Sequence, residues 1–161
     1  MAQFGGPKLV KELHFDDKAK LKLTRGINKI ANSVGSTLGP SGRTVVIEDD
    51  FGNPHVTKDG VTVANSIMLK NPVENLGVAM MKQAAQQTAN IAGDGTTTSI
   101  VLAQAIIGCY KEQNGADFSF RDIRSGIDKY KTHILKILED KSIKITEDRL
   151  NDVSTISANT N

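Results

Sequence analysis

The chain has 161 residues, of which 39% are hydrophobic and 24% charged, and its formal net charge is +2. That is enough apolar material for a real core, while the interspersed charges leave no basic footprint for nucleic acid. Aromatics make up 4% and Trp is absent, which excludes a platform for stacking bases.

Residues 8–15 alternate polar and apolar at Leu9, Leu13 and Phe15, loosely as a strand does. Asp16 or Asp17 is placed to cap a first helix, whose apolar positions Leu23, Ile27, Ile30 and Val34 trace one face. Helicity breaks at Thr37-Leu38-Gly39-Pro40-Ser41-Gly42. Residues 44–48 then read as a strand, Asp50-Phe51-Gly52-Asn53 as a turn, and residues 55–57 as the returning strand.

Asn71-Pro72-Val73-Glu74 has the form of a helix start, with a capping residue, Pro at the first position and Glu three after the cap. Its stripe is expected at Leu76, Met80, Ala84 and Ile91, with Gly93 closing it and Met80-Met81 in the core. A third helix runs from Thr96 to about Glu112 and stops at Asn114-Gly115; it is apolar nearly all round and is expected to be buried. Cys109 lies within it and is expected as a small core residue. Ser119 with Asp122 opens a further helix with Ile123, Ile127, Tyr130, Ile134 and Ile137 inward, and Thr146 caps a short last one near Leu150 and Val153. The fold class expected is mainly α with one small β-hairpin.

No apolar run approaches the ~20 residues that span a bilayer. The first eight residues lack the apolar region of a signal peptide and the Arg- and Ser-rich pattern of a transit peptide. One cysteine allows no internal disulfide, so a cytoplasmic location is expected. The last residues, 156–161, carry neither a capping sequence nor a charged tail, as an interrupted chain would.

Chemistry concentrates in three glycine-containing segments. The most telling is Gly93-Asp94-Gly95-Thr96-Thr97-Thr98, where two glycines flank a carboxylate and three hydroxyls open a helix. Free N–H groups at a helix start attract phosphate oxygens. A carboxylate beside those phosphates is repelled unless a divalent cation bridges them. The alternative is an ordinary capped helix. Thr37-Leu38-Gly39-Pro40-Ser41-Gly42-Arg43 and Thr57-Lys58-Asp59-Gly60 also place small or hydroxyl residues at backbone turns. Lys58 would neutralise phosphate charge and Asp59 would hold a metal or polarise an attacking water, although Lys58-Asp59-Gly60 standing alone reads rather as a solvated turn after a hairpin. No Walker triplet and no dinucleotide fingerprint is present. His14, His55 and His133 have no zinc spacing, and neither Ser41 nor Ser99 sits in a nucleophile elbow.

Taken together, these segments resemble the N-terminal part of a group I (bacterial-type, GroEL-like) chaperonin subunit. The matching words include Thr37-Leu38-Gly39-Pro40-x-Gly42-Arg43, Phe51-Gly52, Thr57-Lys58-Asp59-Gly60-Val61, Ala92-Gly93-Asp94-Gly95-Thr96-Thr97-Thr98, Val101-Leu102-Ala103-Gln104, Gly126-Ile127-Asp128-Lys129 and Thr155-Ile156-Ser157-Ala158-Asn159. They follow in family order over residues 8–161.

The resemblance implies an equatorial ATP-binding domain over residues 1–140, a helical bundle with its hairpin, and the start of an intermediate domain over 141–161. It implies that Thr37, Leu38, Gly39 and Pro40 line the ATP phosphates with Lys58, Gly95, Thr96, Thr97 and Thr98. Asp94 would ligate Mg²⁺, and the main-chain oxygens of Thr37 and Lys58 would hold K⁺. Asp59 would stand by the γ-phosphate as the catalytic carboxylate. Implied partners are copies of the chain in a heptameric ring or rings, unfolded client proteins and a lid co-chaperonin, with no nucleic acid and no membrane. ATP hydrolysis would belong to the full-length subunit, the 161-residue chain alone being inactive. The other function class is a short, non-hydrolysing chaperonin-like protein that binds or caps a ring. Ser41 stands where the family often has Lys, Ser125 where Arg is frequent and Asn161 where an acidic residue is common; residues 1–7 have no assigned role.

Overall fold

A computed structural model describes residues 13–49, 51–112 and 119–157. The chain divides into two compact units, Met1–Gln104 and Ala105–Asn161.

In the first unit α1 (Asp16–Gly35) buries Ile27, Ile30, Ala31 and Val34, the face its apolar spacing predicts. Its cap position is Phe15, without a side-chain bond, so neither Asp16 nor Asp17 caps it; both lie inside the first turn. There follow β1 (Val45–Glu48) and β2 (Pro54–Thr57), an antiparallel hairpin with Val46 opposite Val56 and Ile47 opposite His55. Asp49 holds the tip by accepting from the amides of Phe51 (2.9 Å) and Asn53 (2.7 Å). Those two bonds are among the forces that keep its carboxyl below the usual range, the Asn53 amide foremost.

Next comes α2 (Gly60–Ser66), a short helix the sequence pattern does not announce. α3 (Pro72–Ala92) begins as expected: Asn71 Oδ1 accepts from the amides of Val73 (3.0 Å) and Glu74 (3.1 Å). It ends at Gly93, whose φ of 77° is the left-handed conformation glycine adopts without penalty. Its buried face is not the predicted one. Val73, Gly77, Val78, Met81 and Ala85 are buried, whereas Leu76, Met80 and Ile91 are exposed and Ala84 is half-buried.

The reason is close backbone packing against α1. A methyl on Gly77 would overlap the Leu23 carbonyl, and one on Gly26 would overlap that of Glu74. Glycines at the crossing let the two helices touch, and this turns the Val73, Val78 and Met81 side of α3 inward rather than the Leu76 and Met80 side. Lys29 and Glu74 pair across it at 2.6 Å.

α4 (Thr96–Glu112) starts in the first unit, where Val101 lies beside Gly35 and the Gln104 amide donates to Asn28 and Asn32 at 3.0 Å each. Ile100 and Thr96 are buried, but Leu102, Ile106, Cys109 and Tyr110 are exposed, so the expectation of a helix buried all round fails. In the second unit α5 (Phe120–Lys141) opens on the predicted capping box of Ser119 and Asp122. It buries no residue: Ile127, Tyr130, Ile134 and Ile137 are exposed and Ile123 is half-buried. α6 (Glu147–Ser157) follows Thr146. The strand expected over residues 8–15 falls mostly outside the described residues, as do Asp50, the Asn114-Gly115 stop and residues 158–161. Residues 13–15 are not strand. Among the described residues no helix is long and apolar enough to cross a membrane.

Candidate phosphate-binding site

The first segment grows out of the end of α1. The last turn tightens, with Thr37 N donating to Val34 O (3.1 Å) and Leu38 N to Gly35 O (3.2 Å). The Thr37 hydroxyl also donates to Val34 O, at 2.7 Å. Gly39 (φ 81°) then reverses the chain. Bonds from Gly42 N to Gly39 O (2.9 Å) and from Arg43 N to Ser36 O (2.7 Å) close the loop. Thr37 is half-buried beneath it; Leu38, Gly39 and Pro40 are exposed on its rim.

Asp59 supplies the second segment. It is the N-cap of α2: Oδ1 accepts from Val61 N (3.2 Å), and Oδ2 from Thr62 N (2.9 Å) and the Thr62 hydroxyl (2.6 Å). Burial pushes its carboxyl up, but the Thr62 hydroxyl and the Thr62 and Val61 amides outweigh this and hold it below its ordinary value. Asp59 is therefore ionised at neutral pH. Three donors leave acceptor capacity on Oδ1. Lys58 is exposed next to it.

The third segment joins α3 to α4. Asp94 stands exposed between two left-handed glycines, Gly93 (φ 77°) and Gly95 (φ 83°). Its Oδ1 accepts from Gly95 N at 2.6 Å, and Oδ2 has no protein partner among the described residues. Thr96 is buried at the start of α4, Thr97 half-buried and Thr98 exposed.

Gly60 is where these segments meet. A methyl built on it would overlap the Thr97 hydroxyl and stand 3.2 Å from that of Thr37. Residues more than 20 positions apart on either side thus share one point, with hydroxyls from two segments directed at the backbone of the third. Sequence reading proposes this convergence but misses Gly60, whose role only the close approach reveals.

The family comparison has its decisive match here: the model of the TCP-1/cpn60 chaperonin family matches residues 30–161. The chain belongs to that family. A curated chaperonin relative, the β subunit of the chloroplastic RuBisCO large subunit-binding protein of Pisum sativum, is 44% identical over 155 residues, 95% of this chain and 26% of its own length. Among solved chaperonins, gp146 of the Pseudomonas aeruginosa bacteriophage EL, crystallised in the presence of ATP-BeFx, is 29% identical with a TM-score of 0.74. That match covers 90% of this chain and 26% of gp146. A group III chaperonin in the open state is 26% identical with a TM-score of 0.72, over 89% of this chain and 29% of its own. The chain thus spans about a quarter of the length of the chaperonins it matches. Its mainly helical architecture with one two-stranded sheet is that of the corresponding chaperonin region.

The residues present suit the groups a chaperonin nucleotide site implies. The unpartnered Oδ2 of Asp94 offers Mg²⁺ one carboxylate ligand, in keeping with an ion that takes few protein ligands and completes its shell with phosphate and water. No donor among the described residues occupies the main-chain oxygens of Thr37 and Lys58, which leaves two hard ligands for K⁺.

Proposed function

We propose that this chain is the N-terminal part of an ATP-dependent chaperonin subunit, with residues 1–140 in the equatorial domain and 141–161 opening the intermediate domain. The observation that carries this reading is the meeting of Thr37, Gly60 and Thr97, which gathers the three phosphate-type segments of a chaperonin chain at one place.

Thr37, Leu38, Gly39 and Pro40 line one side of the triphosphate, and the Gly95–Thr98 turn presents amides and hydroxyls on the other. Lys58 adds positive charge. Asp94 holds the Mg²⁺ that offsets phosphate charge, and the Thr37 and Lys58 carbonyls hold K⁺. Asp59, ionised and with Oδ1 acceptor capacity left, orients the attacking water by the γ-phosphate. ATP binding favours one of two ring states, and the contacts at Asp94 and Lys58 would supply the differential affinity that coupling to domain movement requires. The subunit assembles with copies of itself into a heptameric ring or rings, acts on unfolded client proteins in the cytoplasm, and works with a lid co-chaperonin.

Asp94→Ala in the complete subunit tests this. Mg²⁺-dependent ATP turnover is expected to fall by at least about 100-fold, since even outer-shell partners of a metal are worth 10- to 100-fold. Unchanged turnover refutes the assignment.

A further inference from the structure

α2 has only seven residues, and its N-cap is the carboxylate assigned to the γ-phosphate. What fixes this helix therefore fixes Asp59. At its C-terminal end the exposed carbonyls are satisfied one by one: Ser66 Oγ donates to Val63 O (2.9 Å), and Ile67 N donates to Ala64 O (3.4 Å). The next carbonyl, Asn65 O, accepts from Lys82 Nζ of α3 at 2.9 Å. α2 has no basic residue of its own in its last turn. Among the described residues the cation bonded at its negative end comes from another helix, while Asp59 supplies the anion at its positive end.

We infer that Lys82 is a positioning residue for ATP hydrolysis, holding α2 by its C-terminal carbonyl so that Asp59 and Gly60 stay registered against Thr97. The inference rests on the function proposed above. A helix this short has little stability of its own, so an ammonium opposite its dipole matters more than it would on a long helix. The lysine stem borders a cavity of about 30 Å³ with Val61 and Ala64 of α2, Ala85 of α3, and Thr96 and Ile100 of α4. The tether thus lies in the gap between the helix that carries Asp59 and the one that carries the threonine turn. Partial burial lowers the Lys82 amine from its ordinary value.

The test compares Lys82→Met, which keeps the stem and loses the donor, with Lys82→Arg, which keeps donor and charge, both in the complete subunit. Two quantities are read: steady-state ATP turnover and amide hydrogen exchange of residues 61–67. Lys82→Met is expected to lower kcat roughly 3- to 10-fold, to leave KM for ATP within about twofold, and to speed exchange in α2 while α1 and α3 stay protected. Lys82→Arg should recover most of kcat. Turnover in the unmodified subunit with kcat unchanged in Lys82→Met overturns the positioning role alone. Equal losses in both variants, or faster exchange throughout α1 and α3, also overturn it, showing that Lys82 only fills space. An unmodified subunit that turns over no ATP overturns the function itself, and the positioning role with it.

Discussion

Replacing Gly60 by Ala probes the site at its tightest point. Taken alone, the change should help: Ala in a helix is favoured over Gly by about 0.5–1 kcal/mol. The surroundings reverse the sign. The new methyl would overlap the Thr97 hydroxyl, with Thr97 Cβ and the Thr37 hydroxyl each at 3.2 Å. Overpacking of this kind costs ~1–3 kcal/mol, and the Thr97 Cβ is fixed to the backbone of α4, so rotating the hydroxyl away gives only part of the relief. The net expectation is a loss of about 1–2 kcal/mol in stability. Separation of the Asp59 and Thr97 segments should lower ATP turnover by about 10-fold or more, because displacements near 1 Å are enough to disrupt catalytic geometry, and wedging the two phosphate-binding walls apart should weaken ATP binding as well. The assay is a double-mutant cycle with Thr97→Ala, read by ATP titration and thermal melting of the complete subunit. Thr97→Ala removes the overlapped hydroxyl, so Gly60→Ala should cost about 1 kcal/mol less stability in that background than in the wild type. If Gly60→Ala binds ATP like the wild type and the two changes are additive, the two segments do not meet and the proposed site is wrong.

The α1–α3 contact should be less forgiving, because there the obstruction is backbone: Gly26→Ala and Gly77→Ala are each expected to cost ~2–4 kcal/mol in chemical denaturation of the complete subunit, and a cost under about 0.5 kcal/mol would contradict the packing. Asn71→Ala removes the acceptor for two amides of α3 and should cost ~1 kcal/mol in the same assay, with Asn71→Asp nearly neutral. Asp59 has a lowered folded-state pKa, so its contribution is complete above its unfolded value of about 3.9 and is lost as the pH falls through the lower folded value. Protection of the α2 amides, taken relative to intrinsic exchange, should therefore fall only below about pH 4 in the wild type, and Asp59→Asn should remove that step. Breaking the half-exposed Lys29–Glu74 pair with Lys29→Met should cost no more than about 1 kcal/mol, and less at high salt.

The contrast between these sites explains what the sequence could and could not disclose. Caps and glycine turns are local, and Asn71, Ser119, Asp122 and Gly93 act as their residue types predict because each bond closes within a few residues. The three glycine-containing segments were legible as turns for the same reason: glycines and hydroxyls mark backbone reversals before any tertiary contact forms. The buried face of α3 was not. Apolar spacing offers two stripes, Leu76, Met80 and Ile91 or Val73, Val78, Met81 and Ala85, and the close approach of α1 at Gly77 decides for the second. α2 was hidden too, since Val61-Thr62-Val63 is a β-branched run of poor intrinsic helicity. That helix forms because its two ends are held, by Asp59 within the segment and by Lys82 from α3. The exposed apolar residues of α4 and α5 need a different reason. Their periodicity is right for burial, and the chain spans about a quarter of the length of the chaperonins it matches. Hydrophobic pattern thus marks a surface that must be covered, whereas which surface touches first is decided by where two backbones can come close, and in this chain that happens at Gly26, Gly60 and Gly77.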